Sequence, residues 1–261
     1  MQRSTFILAL SIVLLGSCHK PSGYSIRVHL TGFPDSTMFY LQDIDKDEAI
    51  DSALIIGGRF ALNGHLPEVP RQLWIDATVG DRFVYTNLLI GNDQVEVTGD
   101  IADFPDHVKI TGSTTQAEAS QLRDLTAALD ERRDSLVNLI VALPPDSQKT
   151  QGIALWGVVN GIDDNMHQLK VGFIKSHVNT YAALTTLMYL KERMPKDNVA
   201  ALYDRMSEEL KHSPYGQALN VFIRNKVPEV GDRYVDFKAE DQHGDTIALV
   251  KTSAKVFSVM E

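Results

Sequence analysis

The sequence predicts an α+β protein: an N-terminal antiparallel β-sandwich, a central helical segment and a C-terminal fold that begins but is incomplete. Three observations carry this expectation. β-Prone runs recur between residues 24 and 112 at spacings of about 8–15 residues, punctuated by glycine and aspartate. Between 113 and 227 the apolar residues change to helical spacing. A turn-rich stretch, Val227-Pro228-Glu229-Val230-Gly231-Asp232, then opens a further set of short strands in 228–261.

Ahead of these, residues 1–17 have the parts of a secretory signal peptide. A positive start at Met1-Gln2-Arg3 is followed by an apolar run from Phe6 to Leu15 and by small residues before Cys18. The run is too short for a permanent span, which needs ~20 apolar residues. Leu15-Gly16-Ser17-Cys18 resembles the lipobox of bacterial lipoproteins. That resemblance implies signal-peptidase recognition through Leu15, Gly16 and Ser17, and diacylation of the Cys18 thiol with acyl chains such as palmitate. Residues 18–23 then form a lipidated tether. His19 stands where an aspartate would favour inner-membrane retention, so the expected place is the outer membrane, facing the periplasm or the exterior. The plainer alternative is an ordinary secretory signal followed by an incidental cysteine.

Composition narrows the function classes. Apolar residues make up 44% and charged residues 23%, a globular balance. The formal charge is −9, and loss of Arg3 with the leader makes it −10, so nothing in the chain's charge attracts a phosphate backbone and no nucleic-acid partner is expected. A single cysteine excludes an intramolecular disulfide, an all-cysteine zinc site and a two-cysteine redox centre within this sequence.

Taken in order, Tyr24–Leu30 alternates with period two and Met38–Asp43 is β-prone. Ala49–Ile56 and Arg59–Asn63 flank Gly57-Gly58, a two-residue hairpin turn. Gln72–Thr78 and Arg82–Ile90 pair about Val79-Gly80-Asp81, and Gln94–Thr98 and Val108–Thr111 end the series. Phe39-Tyr40-Leu41, Asp51-Ser52-Ala53, Gly58-Arg59-Phe60, Leu73-Trp74-Ile75 and Ile110-Thr111-Gly112-Ser113 follow one another as in an uncharacterised envelope lipoprotein domain. The stretch 24–112 resembles that domain, which precedes thioredoxin-like disulfide oxidoreductases and has no assigned catalysis.

Helices follow. Thr115-Gln116-Ala117-Glu118 forms a capping box, and Leu122, Leu125, Leu129, Leu136, Leu139 and Leu143 make an amphipathic stripe broken at Arg132 and ended by Pro144-Pro145. A second helix covers Gln148–Ser176, with Ile153, Trp156, Val159, Leu169 and Phe173 in the core. A third covers Tyr181–Met194, Asp197 caps one running through Leu210, and Ser213-Pro214 starts the last. Phe173–Tyr181 resembles the linking element of the same family, with Val178 in place of its usual proline.

Tyr234–Phe237, the Asp241-Gln242-His243-Gly244 turn, Thr246–Leu249 and Lys255–Val259 resemble the opening of the thioredoxin-like superfamily. Val235 replaces the usual proline and Ala254 the usual glycine. The resemblance implies a Cys-x-x-Cys turn at a helix N-terminus, where the dipole stabilises a thiolate. The sequence stops at Glu261, about ten residues before that turn, so 228–261 reads as a truncated thioredoxin-like start.

Other candidate sites are weak. Asp43-Ile44-Asp45-Lys46-Asp47 begins like a calcium loop, but Glu48 and Leu54 occupy the positions of its glycine and its bidentate glutamate, leaving a solvated acidic turn. Asp163 and His167 stand one helical turn apart without a third ligand, and His29 reads as a strand residue. No catalytic residue, cofactor or metal is expected. The expected function is a non-catalytic, membrane-anchored envelope module that positions a partner or substrate for a thioredoxin-like domain. One alternative is a fragment of a thiol–disulfide oxidoreductase whose active site lies beyond this sequence. Another is a surface lipoprotein that grips a peptide or glycan, in which case Trp74 and its neighbours line an open groove.

Overall fold

Strict alternation of apolar and polar residues builds two four-stranded sheets. The structure is a computed structural model describing residues 22–67, 70–104, 107–225, 238–240 and 245–248. Its strands are β1 (Tyr24–Thr31), β2 (Met38–Asp43), β3 (Glu48–Leu54), β4 (Arg59–Gly64), β5 (Arg71–Val79), β6 (Arg82–Ile90), β7 (Gln94–Asp100) and β8 (Lys109–Thr111). One sheet has the order β4-β1-β7-β8 and the other β3-β2-β5-β6. Ile26, Val28 and Val97 from the first meet Phe39, Leu73 and Ile75 from the second in one core. Burying each such side chain stabilises the fold by about 1.5–3 kcal/mol.

Two strand expectations change. The sandwich is not purely antiparallel, because β1 and β7 run parallel, from Ser25 opposite Gln94 to Thr31 opposite Asp100. A period-two pattern is the same in either direction, so it says nothing of orientation. Gly57-Gly58 does form a tight turn, with φ of 56° and 74°, and Ile56 bridges Arg59. The strands it joins lie in different sheets, however, since β3 pairs with β2 and β4 with β1. The turn is a corner between sheets rather than a hairpin.

The helices are α1 (Thr114–Ala142), α2 (Pro145–Ser147), α3 (Ile153–Ser176), α4 (Tyr181–Leu190), α5 (Lys196–Asp204), α6 (Glu208–His212) and α7 (Pro214–Arg224). Helix α1 starts one residue before the expected capping box. Ser113, extended after Gly112 at φ +97°, is its cap and accepts from the Gln116 amide at 3.3 Å. A Cβ on Gly112 would collide with the Gln94 carbonyl, so glycine is required there. The leucine stripe of α1 is covered only in part: Leu122, Leu129, Leu136 and Leu143 are half-buried and Leu125 and Leu139 exposed, while Gln116, Thr126 and Ile140 are the fully buried residues. In α3, Val159 and Phe173 are buried as expected, but Ile153 and Trp156 are exposed. The helix expected through Leu210 is two, α5 and α6. Pro195 precedes α5 without a side-chain cap, and Ser207 caps α6.

The chain divides into two compact units, Met1–Asn220 and Val221–Glu261. In the second, β9 (Lys238–Glu240) pairs antiparallel with β10 (Thr246–Ala248), Glu240 opposite Thr246. The expected strands at Tyr234–Phe237 and Lys255–Val259 lie outside the described residues, as do Leu15, Gly16, Ser17 and Cys18. Among the described residues, no helix is long and apolar enough to cross a membrane.

Candidate functional site

Period-two geometry gives the second sheet an inner and an outer face. On β5, Leu73, Ile75 and Ala77 enter the core, so Gln72, Trp74 and Asp76 point outward. Across the strands Tyr40 and Tyr85 both stand opposite Asp76, and Gln42 and Asn87 both stand opposite Trp74. The outer face therefore carries aromatic rings around one carboxylate.

The rings form a row. Trp74 lies 5.0 Å from Tyr85 by ring centroid, and Tyr85 lies 5.9 Å from Phe83 in a stacked arrangement. The Trp74 indole N–H donates to Asn87 Oδ1 at 2.6 Å, which fixes the ring. Phe83 is 55% exposed, and Tyr40, Met38 and Leu54 are exposed on the strands β2 and β3 of the same sheet. Exposed apolar side chains gathered on one sheet face in this way mark a candidate contact surface.

One end of the face is covered. The buried Gln116 of α1 accepts from the Leu89 amide at 2.7 Å and donates to Ser120. The Tyr215 hydroxyl on α7 accepts from the Gln72 amide and donates to Asp45 Oδ2 at 2.6 Å. Burial, reinforced by that bond to Asp45, pushes the Tyr215 phenol well above its ordinary range. Between sheet and helices lies a groove of 380 Å³, lined by Trp74, Leu89, Gln116, Leu122, Thr185 and Tyr189. This falls within the range of about 300–1,000 Å³ usual for ligand sites. Trp74 also lines a second pocket of 230 Å³, with Gln42, Ile44, Asp47, Asp76 and Phe83.

Asp76 is the chemically exceptional group. It is 5% exposed, and its Oδ1 atom is buried without a hydrogen-bond partner. Burial pushes its carboxyl above the usual carboxylate range, while a hydrogen bond from the Gln42 side chain pulls the other way.

The acidic turn at 43–47 is not simply solvated. Asp43 is 2% exposed and takes two Arg71 Nη2 contacts of 2.8 Å, with Arg71 Nε at 3.2 Å. It is a structural clamp. Asp163 is held by Arg133 Nε at 2.8 Å, and no group of three or more side chains suited to a metal occurs among the described residues. His29 lies exposed on the outer face of the first sheet, beside Arg27 and Arg59. Sequence reasoning named Trp74 but missed Asp76, Gln42 and Tyr85. The signal was present in β5, where the alternation places Trp74 and Asp76 together on the side opposite Leu73 and Ile75.

Fold and site together define a two-sheet domain with an open aromatic face, followed by a helical segment. Residues 24–119 match a family described as a domain of unknown function (DUF4369). No curated protein and no solved structure matches the chain significantly.

Proposed function

We propose that the chain is a non-catalytic, lipid-anchored module of the bacterial cell envelope that accompanies a thioredoxin-like domain and positions a partner or peptide on the outer face of its second sheet. The observation that carries this reading is the aromatic row Trp74–Tyr85–Phe83 beside a groove of ligand size. Aromatic side chains left open in this way serve contact rather than folding.

The leader and Leu15-Gly16-Ser17-Cys18 support anchoring through Cys18, with the module on the outer membrane facing the periplasm or the exterior. Tyr24 is six residues beyond Cys18, so β1 would begin within ~20 Å of the lipid at ~3.3–3.6 Å per residue. The thioredoxin-like companion is supported by the resemblance of residues 231–259, within which β9 and β10 pair antiparallel. The same feature supports a second reading, in which the chain is the front of a thiol–disulfide oxidoreductase. An in-frame Cys-x-x-Cys in the coding DNA beyond codon 261 would favour that reading.

The site is tested through its own chromophore. The chain has two tryptophans, Trp74 and Trp156, so the Trp156→Phe variant leaves Trp74 alone. Its emission is followed while short peptides and cell-wall glycans are added. The expected result is saturable quenching or a spectral shift with at least one of these classes; emission unchanged by every probe would contradict the reading.

A further inference from the structure

A buried carboxylate needs a partner, and Asp76 has one only in part. Gln42 serves its carboxyl, yet Oδ1 is buried with nothing to pair with. An ionised group in this state is costly unless something arrives to complete it. The pocket beside it has the means to select what arrives. Asp76 and Asp47 supply acceptors, Gln42 a polar contact, and Trp74 and Phe83 aromatic faces, all within 230 Å³. Asp43 also borders this pocket, but its charge is already met by Arg71. Among the described residues neither Asp47 nor Asp76 has an ion-pair partner.

Carboxylates beside ring faces suit one chemistry above others. A ring face attracts a cation, and a planar guanidinium can stack on the ring while forking its N–H groups onto a carboxylate. A neutral sugar would leave the Asp76 charge unmet, and an anion would be repelled.

We propose that the pocket bordered by Trp74, Asp76 and Phe83 receives a basic side chain, arginine above all, of a peptide or protein partner. Asp76 takes the guanidinium N–H groups on the edge of its carboxylate that borders the pocket, the ligand's charge offsetting that of the buried group, and Trp74 takes its flat face. The proposal rests on the reading of this sheet face as a ligand site, and it names the chemical class of that ligand.

The test is calorimetric titration of the full chain with acetyl-Gly-Arg-Gly-amide and with its citrulline counterpart, which has nearly the same shape but no charge. The arginine peptide should bind at least about tenfold more tightly, and Asp76→Asn should remove about that factor for arginine alone. Trp74→Phe keeps an aromatic ring and should weaken arginine binding less than Asp76→Asn. Glu96→Gln, on the other sheet, should change nothing. Equal binding of both peptides, or arginine binding unaltered in Asp76→Asn, would overturn the basic-side-chain proposal and leave the ligand face standing. Absence of binding by either peptide, together with an unresponsive Trp74 emission, would overturn both.

Discussion

Replacing Asp76 by asparagine should make the protein more stable at neutral pH while impairing its site. The carboxylate is 5% exposed, Gln42 satisfies part of it and Oδ1 has no partner. A buried acceptor left unpaired costs about 1–3 kcal/mol, and more when charged. Asparagine keeps the shape and can keep the Gln42 contact but carries no charge, so a gain of about 1 kcal/mol is expected. For a folded unit of this size that raises Tm by about 2–4 °C. The sign with pH follows from burial, which raises the folded carboxyl above its ordinary value of 3.8. Below that value Asp76 is neutral whether folded or unfolded, and it costs nothing. As pH rises through the folded value the native protein must hold the charge, and stability is lost. The gap between wild type and Asp76→Asn should therefore be full at neutral pH and close in acid. Thermal unfolding followed by circular dichroism at both pH values measures it. An Asp76→Asn protein destabilised to the same extent at neutral and acid pH would refute the reasoning, because Asp76 would then be a satisfied structural acceptor.

The remaining predictions concern the clamp, the helix tie and the anchor. Arg71→Met should cost about 3–5 kcal/mol in urea unfolding, since it strands the buried Asp43 carboxylate, and Arg71→Met with Asp43→Leu should recover much of that loss. Tyr215→Phe removes the donor to Asp45 and the acceptor for the Gln72 amide, and should lower stability by about 1–2 kcal/mol in the same assay. Cys18→Ser should abolish labelling by radioactive palmitate and release the protein from the membrane fraction; continued labelling would place the acyl chain elsewhere.

Much of the two-sheet fold was legible because half-buried strands write their inner and outer faces into the sequence. In β5 the order Gln72, Leu73, Trp74, Ile75, Asp76, Ala77 already separates an aromatic, acidic face from an apolar one. Strand direction was not legible, because β1 and β7 alternate identically whether parallel or antiparallel. Nor was the fate of the acidic turn, since Arg71, the residue that neutralises Asp43, lies 28 positions away in sequence. On α1 the leucine spacing misled. The side that is buried depends on how α3, α4 and β6 pack on the helix: β6 meets it at Gln116, α4 faces Leu122 across the groove, and Leu125 and Leu139 are left exposed. Trp74 was recognisable as an aromatic worth watching, whereas the unpaired state of Asp76 exists only once Tyr40, Gln42 and Tyr85 have been brought around it.

The most direct measurement is nitrogen-15 chemical-shift mapping of the full chain titrated with the arginine peptide. The Trp74 indole signal and the amides of Gln42, Asp76, Phe83 and Tyr85 should move together and saturate, while those of Arg27, Arg59 and Glu96 on the opposite sheet stay still. Shifts centred on that opposite sheet, with Trp74 and Asp76 unmoved, would contradict the assignment of the aromatic face as the binding surface.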